Sequence, residues 1–164
     1  MKLSNNLSLK EMLKSRTASR LAINNSPTVE HIENMREMAL NIFQPIRDYF
    51  GVPIHISSGY RSEALNKAIG GAHRYKDGKY VATSQHCKGE AIDLDRDSFS
   101  DPNNAEIFHF IKKNLNFDQL IWEFGTEENP DWVHVSYDTD CKQRGQILIA
   151  YKDDKGRTRY KPYE

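Results

Sequence analysis

The sequence predicts an α+β fold, a small antiparallel sheet with helices packed on one side. Apolar residues recur at helical spacing through the first third of the chain, whereas the last third holds short β-type runs separated by turn signals. Regular strand–helix alternation, the mark of βαβ units, is missing. At 164 residues and 19.0 kDa, residues 1–164 are expected to form a single domain.

Taken in order, Ser8 followed by Glu11 is a capping-box signature that starts a helix near Leu9, and Asn24 to Pro27 reads as a turn. Val29, Ile32, Met35, Ala39, Ile42 and Ile46 form the apolar stripe of a longer helix, ended by Gly51 and Pro53 and kinked or split at Pro45. Ile54 to Ser57 is a strand candidate, Ser58-Gly59 a turn, and Ser62 to Ile69 a helix stopped by Gly70-Gly71. The stretch from Ala72 to Thr83 is polar, with Asp77-Gly78 as a hairpin turn. Ala91 to Leu94 reads as a buried strand. Asp101-Pro102 opens a helix with Ile107, Phe108, Ile111 and Leu115 on its apolar face. Phe117 to Trp122, Trp132 to Tyr137 and Gln146 to Tyr151 are strands, and a last hairpin turns at Lys155-Gly156.

Composition narrows the function classes. Twenty-three basic and twenty-three acidic residues cancel, which leaves no electrostatic footprint for nucleic acid or an anionic membrane. The opening MKLSNNLSLKEMLKS lacks the apolar run of a signal peptide, and no stretch of ~18 apolar residues would span a bilayer. A cytosolic, monomeric protein is expected, with Cys87 and Cys141 as free thiols; without CxxC spacing a thiolate zinc knuckle is excluded.

Of six histidines, His31 and His109 fall on helices as surface residues, His55 reads as a hydrogen-bonded structural residue, and His73 lies in the polar loop. His86 and His134 differ. His86 precedes Gly89 and lies seven residues before Asp93, so a loop running into a strand can fold imidazole and carboxylate together. On DWVHVSY, Trp132, His134 and Ser136 share one strand face. Asp93 sits on a strand otherwise built for a core, where a carboxylate needs a cation or strong donors. Two imidazoles and a carboxylate form a catalytic zinc set with an open fourth position; a structural salt bridge accounts for the spacing equally well.

Three segments in order, SGYRSEALNKAIGGA, SQHCKGEAIDL, and DQLIWEFG followed by PDWVHVSY, resemble the zinc D-Ala-D-Ala carboxypeptidase and L-Ala-D-Glu endopeptidase family of murein peptidases, which shares its zinc core with lysostaphin-type peptidases and hedgehog domains. The pattern Ser-x-His-x-x-Gly-x-Ala-x-Asp matches from Ser84 to Asp93 without a gap. The resemblance runs from about Leu9 to Tyr137. It implies His86, Asp93 and His134 as ligands of Zn2+, with water in the fourth place. It also implies an acidic general base three positions before the last ligand, which is Asp131 here. Glu123, in LIWEF, is the rival; strand alternation opposes Asp131, whose parity differs from that of His134, unless a turn after Pro130 undoes the alternation. Arg61 matches the family arginine that holds a substrate carbonyl or carboxylate, and Ser84 is a candidate for orienting substrate. The segment from His73 to Thr83 is longer than in many relatives and lies where a substrate lip would form.

These readings converge on a zinc peptidase for peptidoglycan stem peptides, in a setting such as a phage lysin that reaches the wall after release. The rivals are a catalytically inactive zinc module and a phage structural or assembly protein on the same fold.

Overall fold

The structure, a computed structural model, describes residues 1–96, 101–140 and 142–164. Cys141 therefore lies outside the described residues, among which Cys87 has no disulfide partner. The helices are α1 (Leu9–Leu13), α2 (Arg16–Arg20), α3 (Val29–Met38), α4 (Gln44–Phe50), α5 (Glu63–Ala68) and α6 (Asn104–Asn114). The strands are β1 (Ile56–Ser58), β2 (His73–Lys76), β3 (Lys79–Ala82), β4 (Ala91–Leu94), β5 (Gln119–Glu123), β6 (Trp132–Ser136), β7 (Gln146–Lys152) and β8 (Thr158–Pro162).

The local signals explain most boundaries. Ser8 and Glu11 close the expected capping box on α1. The long helix is divided ahead of Pro45: it passes from α3 through a π-helical turn, Ala39–Phe43, into α4, where Pro45 occupies the first turn. Met35, Ala39, Ile42 and Ile46 are fully buried, each large side chain contributing about 1.5–3 kcal/mol, whereas Val29 at the head of the stripe is 75% exposed. α6 starts later than Asp101-Pro102, because Asn103 caps it and Glu106 returns the hydrogen bond. The short α2, capped by Ser15, has too few apolar positions to show a period.

Six strands form one sheet in the order β1-β4-β6-β5-β7-β8, and β2 and β3 pair separately around Asp77-Gly78. The sheet is mixed, not purely antiparallel: β5 and β7 run parallel. The chain leaves β6 at Ser136, rounds the end of β5 and re-enters as β7, held by Gly145 N–H to Phe117 O and Gln146 N–H to Asp118 O. Asp118 anchors this crossover by a two-point ion pair with Arg144.

Alternation divides the sheet into two faces. Ile92, Val135 and Leu120 form one row of register partners and Leu94, Val133 and Trp122 the next, all turned into the core with α3, α4 and α6. On the opposite face, Asp93, His134, Ile121 and Leu148 form one row, and Trp132, Glu123, Ala150 and Tyr160 form another. α5 and the β2–β3 hairpin flank this second face, with Ala72 and Thr83 at the hairpin's foot. No helix among the described residues is long and apolar enough to cross a membrane.

Candidate active site

The face opposite the core floors a cleft of about 780 Å³, within the size range of small-ligand sites. Register sets its centre: Asp93 on β4 is the direct partner of His134 on β6, so both side chains project into the cleft side by side. His86 arrives from a 3₁₀ turn, Gln85–Lys88, ended by Gly89 in a left-handed conformation (φ +80°). A Cβ at Gly89 would lie 2.5 Å from His31 O, so only glycine lets this turn close against α3.

His134 Nδ1 lies 2.9 Å from Asp93 Oδ1, and His86 Nε2 lies 3.3 Å from both of these atoms. His86 Nδ1 is 2.7 Å from Gly59 O. A carbonyl only accepts, so Nδ1 carries the proton and Nε2 presents a lone pair to the cluster. Gly59 itself is required by close approach, since a Cβ there would meet Met12 O at 2.5 Å. Around Asp93 Oδ1, one proton on His134 cannot serve His86 as well. A cation meets all three donors at once, and two imidazoles with one carboxylate suit zinc. Glu90, Asp138 and Asp140 form a second convergence, all carboxylate and without the nitrogen donors zinc favours.

Arg61 stands behind the cluster. Its Nη2 donates to Asp93 Oδ2 at 2.8 Å and its Nε to Ser58 Oγ at 2.9 Å, so in this state the guanidinium orients Asp93 while lining the cleft. Burial opposes charge on Asp93, but His86 and His134 prevail and hold its carboxyl well below the usual carboxylate range. Burial likewise pushes His86 down, favouring the neutral ligand form. Ser84 lines the cleft at the start of the 3₁₀ turn.

The two acids are separated by the fold. Glu123 closes β5 on the cleft face, 7% exposed, and burial together with the Asp93 charge pushes its pKa up to about 7 against the pull of His134, Arg61 and Lys152. Asp131, the residue implied by family spacing as general base, is exposed and does not line the cleft. The turn after Pro130 leaves the alternation intact: Asp131 N–H bonds Glu123 O and its carbonyl accepts from Asn104 on α6. Of the two acids, Glu123 is the one on the cleft face, and Asp131 lies outside it.

Among the other histidines, His31 bonds the Tyr60 hydroxyl, His109 is exposed, and His73 stacks on Tyr80. His55 departs from expectation: its ring is exposed just before β1, and it is its backbone carbonyl that pairs, with Asp95 N–H. Sequence reasoning missed the Gly59 carbonyl, Ser58 and the Asp118–Arg144 pair. The SGYR segment was the available signal for the first two, since it holds both.

No curated protein matches this chain significantly. A family model described as Peptidase M15 matches residues 5–136, a span that holds His86, Asp93, His134, Arg61 and Glu123 and most of the sheet. With that match over most of its length, the chain belongs to the Peptidase M15 family, whose members are zinc-dependent peptidases.

Proposed function

We propose that this protein is a zinc metallopeptidase that hydrolyses peptide bonds in peptidoglycan stem peptides. The observation that carries the reading is the convergence of His86 Nε2, Asp93 Oδ1 and His134 Nδ1 in a cleft that also holds a buried acid with a pKa near 7. His86, Asp93 and His134 would hold the ion, the Gly59 carbonyl fixing one tautomer and Arg61 fixing the carboxylate. Zinc bound there supplies Lewis acidity, polarising the scissile carbonyl and acidifying water toward a pKa of ~7.

Glu123 is the general base in this reading. As a carboxylate it takes the proton of the attacking water; as the acid so formed, it passes that proton to the leaving amine. A pKa near neutrality suits both steps. Arg61, already on Asp93, offers the remaining edge of its fork to the developing oxyanion or to a substrate carboxylate. Ser84 contributes a hydroxyl at the rim, and the β2–β3 hairpin is the substrate lip. The peptidoglycan assignment draws on the resemblance of the three motif segments. In the same reading the protein acts as a monomer on the wall after release, without nucleic acid or membrane as partner.

The test is mass spectrometry of purified muropeptides incubated with zinc-loaded protein, with His86→Ala as control. Loss of a D-Ala residue, or scission at L-Ala-D-Glu, supports the reading and names the bond. Intact muropeptides with zinc bound would turn the assignment toward a non-catalytic zinc module.

A further inference from the structure

The family match ends at residue 136, yet the cleft does not. Leu148 on β7 and Thr158 and Tyr160 on β8 line it, beyond Glu123 as seen from the metal-type cluster. Tyr160 stands out by its register. Glu123 pairs with Ala150, and Ala150 pairs with Tyr160, so the three share one row on the cleft face. Two strand spacings put the Glu123 and Tyr160 backbones roughly 10 Å apart, a gap that the two side chains can bridge only if the residue between is small. It is: Ala150 is 1% exposed although its Cβ is on the open face, so it lies beneath its neighbours.

The Tyr160 ring is half-exposed, and among the described residues its hydroxyl makes no hydrogen bond. Tyr60 and Tyr80 differ, their hydroxyls meeting His31 and Asn66. Burial, with the negative charges of Glu123 and Asp93 nearby, pushes the Tyr160 pKa up, so the phenol keeps its proton through the neutral range. A donor held at the mouth of a cleft, beside the acid and away from the Arg61 end, suits an acceptor on an incoming peptide.

We infer that the β7–β8 hairpin is the substrate-selecting wall of the cleft, and that the Tyr160 hydroxyl donates a hydrogen bond to a backbone carbonyl or carboxylate of the bound stem peptide. The inference rests on the peptidase reading above and adds to it a binding residue outside the matched family segment. Tyr160 binds substrate; it takes no part in the proton transfers assigned to Glu123.

The experiment compares the zinc-loaded full chain with Tyr160→Phe, using a disaccharide-pentapeptide muropeptide as probe. Cleavage kinetics are read alongside binding to the zinc-free proteins, followed through the fluorescence of cleft-lining Trp132. Tyr160→Phe should raise KM and the zinc-free Kd together by roughly tenfold, the effect of one lost hydrogen bond, with zinc content and kcat close to wild type. Unchanged KM and Kd in a variant of an active wild type would overturn the inference and leave the peptidase reading intact. A fall in kcat alone would overturn it too, since it would move Tyr160 into the chemistry. If wild type neither binds nor cleaves the probe, the peptidase reading fails and carries this inference with it.

Discussion

Glu123→Gln separates burial from chemistry, because the amide keeps the shape of the side chain and removes its charge. In the metal-free protein the Glu123 pKa is raised from 4.5 to about 7, mainly by burial. Between these values the folded state keeps a proton that the unfolded state has lost. Stability of the wild type therefore falls as pH rises through that window, and the loss is complete above about pH 7. With 1.36 kcal/mol per pH unit, the full window amounts to about 3 kcal/mol. Glu123→Gln carries no such penalty. Urea unfolding of the two metal-free proteins at intervals from pH 4.5 to 8 should show the variant gaining on the wild type by up to about 3 kcal/mol, with no further gain beyond. Zinc should shrink the gap, since a nearby cation favours the carboxylate. A difference that stays flat over the whole range would refute a buried, charge-coupled Glu123, and with it the basis for choosing this acid. In the zinc-loaded enzyme the same substitution should lower kcat by about 10²–10⁴-fold with zinc retained.

Asp131→Asn should keep most of its turnover, because Asp131 is exposed and outside the cleft; steady-state kinetics beside Glu123→Gln would expose a reversed order. Metal analysis of the wild type should find one zinc per chain, and His86→Ala and His134→Ala should each abolish it, as each removes one of three donors. Arg61→Lys cannot bridge Asp93 and Ser58 with a planar fork, so zinc affinity should weaken about 10–100-fold, read by competition with a chelator, and turnover at saturating zinc should drop by a similar factor. Gly89→Ala forces a side chain into a left-handed conformation 2.5 Å from His31 O, so thermal unfolding should report a loss of at least about 2 kcal/mol and parallel weakening of zinc binding.

Much of this fold can be read from local signals because local chemistry decides it. Capping residues start α1 and α5, the Asp77-Gly78 turn closes β2 onto β3, and the stripe from Met35 to Ile46 buries where its period says. Two features resist such reading. The π-helical turn at Ala39–Phe43 lies within a stripe whose steps of three and four fit an ordinary α-helix, so the period alone does not disclose it. The parallel pairing of β5 with β7 depends on the crossover rounding β5 instead of turning back beside β6, and the ion pair that fixes it, Asp118–Arg144, joins residues 26 apart.

The site divides along the same line. His86, Asp93 and His134 were legible because strand parity and a glycine-ended turn bring them together, and Asp93 needs only direct register with His134 to complete the set. Which carboxylate shares the cleft face with this set was not legible from spacing, since two lay within reach and the path from Phe124 to Pro130 had to be known. That path is a reversal opened by Phe124 and Gly125, both with positive φ, after which Asp131 N–H returns to Glu123 O and β6 starts in register with β5. A register that pairs Glu123 with Trp132 turns Glu123 to the His134 side and denies that face to Asp131. A slip of β5 by one residue against β6 would turn Glu123 to the core face, whereas the odd interval between Asp131 and His134 keeps Asp131 off the His134 face in either register, so the length of the loop before β6 decides whether an acid from β5 faces the cluster.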